Sequence, residues 1–571
     1  MRLISSWTSV ALVTLALPLY GLTLQNEESF ERAGRRKGAV VANGKECAKV
    51  GTSIFERGGN VVEAAIATLF CDGVFRPMSV GIGGGFTLTM YNRTTGEIFA
   101  LNSREKAPAA ADEHMFDNLP GKASIEGGLA VAVPGELKGY WVLYETFGGN
   151  IPWKDLVQPS IDFCNDGIYL DGYSAHVLQI KKATIYKDPG LRSVFWNYEI
   201  NDTYKEGDYV YRPKLARTLK VIAEEGGLAL HDGSLTESFV EDIQKAGGII
   251  TVEDMNSYRP QWVTPIEAQI NGQRFITMGA PAAGSVLIYI LQILDGLLVD
   301  VDPNSVIATH RIIEAFKFGY GARTRLGDPY FYDKSHKEFE SHMISKEFAK
   351  RAQAKMSDGT TSTDPLYYDA ELSYQLDHGT AALLFLAENG DAISITSTVN
   401  FYFGAGFMGE STGIIPNDQM DDFSKPHGAN GFGLASSPTN YIAPGKRPQS
   451  SMTPTIIVNQ DGDVEMIIAA AGGSRITSTV ATTIIRNLWF NLSLNESINE
   501  KRFHHQLSPM KIEMERDFAK ETLLLEELEL IGHTISLQEK GGSAVSAIRT
   551  HPYIVANSDG RRKSYVSYIE N

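Results

Sequence analysis

Residues 377–404, DHGTAALLFLAENGDAISITSTVNFYFG, constrain the fold more than any other stretch of the chain. Residues 381–387 are apolar at every position, the pattern of a strand buried on both faces. The half that follows alternates. Ile393, Ile395, Val399, Phe401 and Phe403 share one parity, and Ser394, Thr396, Thr398 and Asn400 the other. Successive side chains of a strand point to opposite faces, so residues 392–403 read as a strand with one oily face and one of hydroxyls and an amide. Two connections fit this hairpin. A two-residue Asn389-Gly390 turn sets Thr380 opposite Val399, and a three-residue loop with Gly390 as a left-handed bulge sets it opposite Thr398.

Strands also read from GFTLTMYN, EIFALNSR, PTIIVNQDG and VEMIIAAAG, and helices from VVEAAIATLF, VIATHRIIEAFKFGYGART and ETLLLEELELIG. They are intermixed without strict β-α-β alternation, so a layered α/β or α+β architecture is expected rather than a barrel. Two irregular stretches, 356–379 and 421–452, are rich in chain breakers; the second, between strong strands, reads as folded over a site. With 571 residues, 43% apolar and 21% charged, the chain can bury a large core. Its formal charge of −16 argues against nucleic acid, which requires a basic face.

Arg2 precedes an uncharged run from Leu3 to Asn26. Residues 1–25 are expected to form a secretory signal peptide, with an uncleaved signal anchor as the alternative; either places the rest outside the cytosol. Sequons at Asn92, Asn201, Asn491 and Asn495 agree with extracellular glycosylation. Cys47 and Cys71 bracket a helical stretch and are expected to pair as a disulfide, leaving Cys164 over; the alternative is three buried thiols.

VGIGGGFTL, residues 80–88, lacks the Gly-Lys-Ser/Thr of a phosphate loop and leads into a strand rather than a helix, so it reads as a tight turn with close backbone packing. No Cys/His cluster has metal-ligand spacing and the glycine motif fits no phosphate or dinucleotide, so no metal and no cofactor are expected; no G-x-S-x-G elbow occurs to support a Ser-His-Asp triad. Thr380 stands out for a different reason. An N-terminal threonine carries its own base, an α-amine that titrates near neutrality. Cleavage between Gly379 and Thr380 would create one, and the bulged register would seat it beside Thr398.

From about Gly38 to its end the chain resembles the γ-glutamyltransferases (γ-glutamyl transpeptidases), N-terminal-nucleophile hydrolases. GGNVVEAAIATLFC, SVGIGGGFTLTMYN, NSREKAP, VAVPGELKG, STVNFYFG, NDQMDDFS, GKRPQSSMTPTI and AAGGSRI carry the resemblance. It implies an α+β fold, a four-layer αββα sandwich. It also implies a precursor that cuts itself into a large subunit, 26–379, and a small catalytic subunit, 380–571, which stay together as a heterodimer. Thr380 corresponds to the nucleophile, oriented by Thr398. Arg104 would clamp the α-carboxylate of the donor with Ser450 and Ser451, and Asn400, Gln419 and Asp422 would receive its α-ammonium. Gly472 and Gly473, closing a strand before a helix near Ile476, would form the oxyanion hole. The implied substrates are small molecules: glutathione or another γ-glutamyl compound as donor, and water, an amino acid or a dipeptide as acceptor. Ala382 stands where many relatives carry histidine, and His378 where a small or polar residue is usual. The alternative expectation is a secreted homologue that has lost catalysis and acts as a binding or effector protein. An acylase of glutaryl amides would not need the ammonium pocket.

Overall fold

A computed structural model describes residues 34–371, 380–426, 437–539 and 542–570. The segment 1–25, His378 and Gly379 lie outside the described residues. Two antiparallel sheets lie face to face between layers of helices, the four-layer αββα sandwich of α+β class. In spatial order the first sheet runs Tyr565–Glu570, Arg36–Ala42, Thr380–Leu386, Ala392–Thr398, Gly85–Tyr91, Ile98–Ser103 and Gln261–Val263. The second runs Val555–Ser558, Ala544–Arg549, Val464–Ala471, Thr455–Val458, Gln273–Thr277 and Ile266–Ile270.

Side-chain parity sorts the hairpin into this architecture. Leu383, Phe385, Ile393 and Ile395 belong to the core under the helices Cys47–Glu56 and Val61–Phe75. Ala382, Leu384 and Leu386 point the other way, packing between the sheets with Ile456, Val458, Ile467 and Ala469. A third layer puts Ile457, Met466 and Ile468 against the helices Gly284–Leu294 and Arg475–Ile484. Helix Val61–Phe75 is buried nearly all round because helices and sheet cover it, and a reciprocal cap sets its start: the Asn60 side chain accepts from the Val62 and Glu63 amides, and the Glu63 side chain accepts from the Asn60 amide.

The hydroxyl row faces the second sheet. Ser394 Oγ donates to the carbonyl of Ile468 at 2.9 Å, and Thr89 Oγ1 to that of Pro454 at 2.9 Å, so buried hydroxyls stitch the sheets by paired hydrogen bonds. The three-residue loop is the one adopted. Gly390 has φ +85°, Ala387 N–H donates to Asp391 O, and Thr380 lies opposite Thr398. The second strand is shorter than its alternation suggests. It ends at Thr398, and Asn400 and Phe403 take positive φ values of 76° and 67°. Val399 and Phe403 give their amides to Ser79 and Met78, and Phe401 gives its own to Asp418 Oδ1, so competing loop partners draw the chain off the sheet.

Cys47 and Cys71 form a disulfide, and Cys164 is a buried free thiol that burial pushes up to about 11. The sequon asparagines Asn201, Asn491 and Asn495 are exposed and Asn92 is half-buried. Among the described residues no helix is long and apolar enough to cross a membrane.

Candidate active site

Backbone register brings the candidate groups to one end of the space between the sheets. Thr380, Thr398 and Gly85 sit side by side at the ends of three neighbouring strands. In the second sheet Thr455 pairs with Ile468, the residue that accepts from Ser394. Moving from Ser394 toward Thr398 therefore corresponds to moving from Thr455 back toward Ser450–Ser451, and from Ile468 on toward Gly472–Gly473. The glycine-rich turn closes this end by backbone contact. A Cβ on Gly84 would lie 2.1 Å from the Thr398 carbonyl, and one on Gly83 2.2 Å from that of Ile415.

The Thr380 and Thr398 hydroxyl oxygens are 3.5 Å apart, and both residues are buried. Thr398 Oγ1 also accepts from the Asn400 amide at 2.8 Å, which fixes its rotamer. The turn through Asn400 then aims that side chain inward, its Nδ2 donating to Asp418 O at 3.1 Å.

Arg104 is fully buried. Its Nε donates to Pro448 O at 2.9 Å and its Nη2 to Gln449 O at 3.2 Å, so the guanidinium lies along the segment that continues into Ser450 and Ser451. The same Nη2 donates to Asp422 Oδ2, and Gln419 Nε2 reaches that oxygen at 2.7 Å. Asn440 ties the two segments together, donating to Asp422 O and accepting from the Gln449 amide. Ser450 Oγ accepts from the Met452 amide at 3.2 Å, and Ser451 Oγ from Arg323 Nη2 at 3.3 Å.

Buried acceptors around Asp422 with no donor among the described residues include the amide oxygens Asn400 Oδ1 and Gln419 Oε1 and the carboxylate oxygen Asp418 Oδ2. An ammonium offers three N–H donors and no acceptor, which matches two such oxygens and a carboxylate. Burial raises the Asp422 carboxyl, opposed by Arg104. Burial also raises Asp421, to about 6, while Ser124 donates to its Oδ1 at 2.6 Å. Asp418 is raised by burial and by repulsion from Asp421 and Asp422. A cation entering here relieves that repulsion.

Gly472 and Gly473 follow the strand Val464–Ala471 and precede the helix Arg475–Ile484. Their φ values, 128° and 62°, lie where a side chain is strained, and a Cβ on Gly472 would meet Gly542 O at 2.5 Å. Both carbonyls point back into the helix start, accepting from Arg475 and Ile476. Neither amide donates to another described residue. Two adjacent N–H groups at a helix N-terminus can stabilise an oxygen anion.

Several groups had no sequence signal. Arg447 supports the Arg104 backbone, donating to Arg104 O and, at 3.0 Å, to Tyr258 OH. Glu105 is fully buried, 3.7 Å from Arg104 Nη1, and burial raises it to about 7. An Arg-Glu pair and an Asp-Asp turn would ordinarily be solvated, but all four residues here are buried. His310 and Glu314, one helical turn apart, also come within 4.8 Å of His533, which is remote in sequence. Their polar atoms are engaged within the protein: His310 with His533 and Ser357 O, and Glu314 with Lys317, Thr361 and Tyr368. This network docks the segment 357–368, part of the stretch that reads as irregular in sequence.

The family model for gamma-glutamyltranspeptidase matches residues 47–569. The chain belongs to the gamma-glutamyltranspeptidase family. It is 39% identical to Scoloptoxin SSD14 of Scolopendra dehaani, over 92% of this chain and 91% of that protein. It is 35% identical to Glutathione hydrolase proenzyme 1 of Schizosaccharomyces pombe, covering 93% and 84%. Among solved structures, cephalosporin acylase from Bacillus halodurans superposes with a TM-score of 0.80 over 94% of this chain and 96% of that one; at 21% identity the likeness is one of fold. Helicobacter pylori gamma-glutamyltranspeptidase matches with a TM-score of 0.52 and 29% identity, over 55% of this chain and 90% of that one.

Proposed function

We propose that this family member is an extracellular γ-glutamyltransferase and glutathione hydrolase that matures by cutting itself before Thr380. Residues 1–25 export the chain as a cleaved signal peptide, and the sequon asparagines carry glycans. In maturation the Thr380 hydroxyl attacks the Gly379 carbonyl and water resolves the resulting ester. The products are a large subunit, 26–379, and a small one, 380–571, held together by the shared sandwich.

In the mature protein, Thr380 Oγ attacks the γ-amide carbonyl of glutathione or a related donor, and the Thr380 α-amine takes its proton. The carbonyl π pair moves onto oxygen, where the Gly472 and Gly473 amides stabilise it. The amine leaves with the proton returned to it, and a γ-glutamyl ester remains on Thr380. Water, an amino acid or a dipeptide then takes the γ-glutamyl group. Thr398 orients the nucleophile. Arg104, Ser450 and Ser451 hold the donor's carboxylate, and Asn400, Gln419 and Asp422 its ammonium. No step needs a metal or cofactor.

The observation that carries this reading is the pair of buried acceptors, Asn400 Oδ1 and Gln419 Oε1, beside an Arg104–Asp422 ion pair. An α-amino acid head inserts its carboxylate and ammonium into that arrangement with each charge matched. A glutaryl group, lacking the ammonium, leaves those acceptors unpaired, which disfavours the acylase reading. Rapid quenching of the enzyme with a γ-glutamyl anilide, followed by mass analysis, tests it. The 380–571 chain should carry one γ-glutamyl unit on Thr380; turnover with the adduct elsewhere, or with none, would contradict the assignment.

A further inference from the structure

Two amides can stabilise an oxyanion only if the loop that carries them is held still, because donors that must reorganise during the reaction lose most of their advantage. The residue after the glycines shows how this loop is held. Ser474 is fully buried; its Oγ donates to Gln506 Oε1 at 2.7 Å and its carbonyl accepts from the Tyr320 hydroxyl.

Gln506 Nε2 donates to Ser508 O at 2.9 Å, which settles the orientation of the amide and leaves Oε1 facing Ser474. The same Oε1 lies 3.0 Å from His504 Nε2. An amide oxygen only accepts, so His504 Nε2 carries the hydrogen, and Nδ1 lies 2.7 Å from the Ser478 hydroxyl, which also reaches the Arg475 carbonyl at 3.1 Å. Burial pushes His504 down to about 4, so the ring is neutral at physiological pH, as this chain of bonds requires. The Tyr320 ring packs edge-on against His504, their centroids 5.6 Å apart. Serine, glutamine, histidine and tyrosine thus form one satisfied network under the loop, with Gln506 Oε1 at its centre. Among the described residues Gln506 has no hydrogen bond to Arg104, Asn400, Gln419, Asp422, Ser450 or Ser451.

We propose that Gln506 is a positioning residue for the Gly472 and Gly473 amides: acting through Ser474, it keeps both N–H groups aimed at the oxygen that gains charge when Thr380 attacks. This rests on the reading of those amides as the oxyanion donors.

The test compares wild type with Gln506→Met, which keeps the length but removes the acceptor, and Gln506→Glu, which keeps acceptor oxygens. Three quantities are measured: kcat and KM for γ-glutamyl-p-nitroanilide hydrolysis, inhibition by L-glutamate, and inhibition by a γ-boronic acid analogue of glutamate. The boronate forms a tetrahedral adduct on a threonine hydroxyl, whereas glutamate probes only the amino-acid head. In Gln506→Met, kcat should fall about 10- to 100-fold, less than the loss of a whole oxyanion donor. Boronate affinity should fall by the same factor, with KM and glutamate affinity changed less than about twofold. Gln506→Glu keeps the acceptor toward Ser474 but loses the donor toward Ser508 O, so it should recover part of kcat. If Gln506→Met does not mature, Ser474→Ala removes the same bond from the other side and is read in the same way. Tight boronate binding to wild type that is unchanged in the variants overturns the positioning role alone. Equal losses in KM, glutamate affinity and kcat also overturn it, since they mark a general collapse of the site. If boronate binds wild type no more tightly than glutamate does, the oxyanion reading fails and the positioning role with it.

Discussion

Asp422→Asn tests the amino-acid pocket by changing charge at nearly constant shape. The carboxylate is buried, and one of its oxygens is shared between Arg104 Nη2 and Gln419 Nε2. In the variant the side-chain oxygen can still face Arg104, but the charge opposite the donor's ammonium is gone. A hydrogen bond to a charged group contributes roughly 1.5–3 kcal/mol. At about 1.4 kcal/mol per tenfold, kcat/KM for γ-glutamyl-p-nitroanilide should fall roughly 10- to 150-fold. Glutaryl-p-nitroanilide has the same carboxylate and scissile amide without the ammonium, so it isolates the term in question. Its kcat/KM should change far less, and the preference of the enzyme for the γ-glutamyl compound should shrink by nearly the full factor. Maturation into two chains should be unaffected. If Asp422→Asn lowers both rates equally, Asp422 serves only to hold Arg104, and the ammonium assignment is wrong.

Three further outcomes follow from the structure. Thr380→Ala should remain one chain on a denaturing gel and hydrolyse no γ-glutamyl anilide; a cleaved, active variant would remove Thr380 from the mechanism. Glu136 is fully buried, accepts from Tyr140 and Ser397, and is raised by burial from 4.5 to about 8, so the folded state holds a proton that the unfolded chain releases, and this contribution to stability is lost as pH rises between those values. Glu136→Gln should therefore gain on wild type in unfolding midpoint between pH 5 and 9, and a difference that does not vary with pH would show that the carboxyl does not titrate there. Replacing Cys47 and Cys71 together by serine opens a link of sequence separation 24 and should cost about 3 kcal/mol, read as a lower unfolding temperature; an unchanged temperature would mean the pair does not constrain the unfolded chain.

Periodicity made the sandwich legible. Continuous apolarity from 381 to 387 and alternation from 392 onward specify one strand covered on both faces beside one with a hydroxyl face, and both occupy those places. The hairpin register was open in the sequence, because Asn389-Gly390 suits two turns and only packing against the second sheet selects one. The strand end at Thr398 was hidden because the alternation continues through Phe403, while the partners that draw the chain away, Ser79, Met78 and Asp418, are remote in sequence. Family resemblance named Arg104, Asn400, Gln419 and Asp422, but their convergence in one buried cluster depends on long-range contacts that no local pattern encodes. Gln506 and Arg447 are plainer cases: each carries an ordinary polar side chain in a stretch of no special periodicity, and each acquires its place only when distant segments meet.

The central claim is that a peptide bond breaks to make Thr380 an N-terminal nucleophile. The most direct measurement is a denaturing gel of the purified protein with N-terminal sequencing of every band. Two chains, the smaller beginning at Thr380, are the predicted result. A single uncut chain with γ-glutamyl hydrolase activity, or cleavage at any other bond, would contradict it.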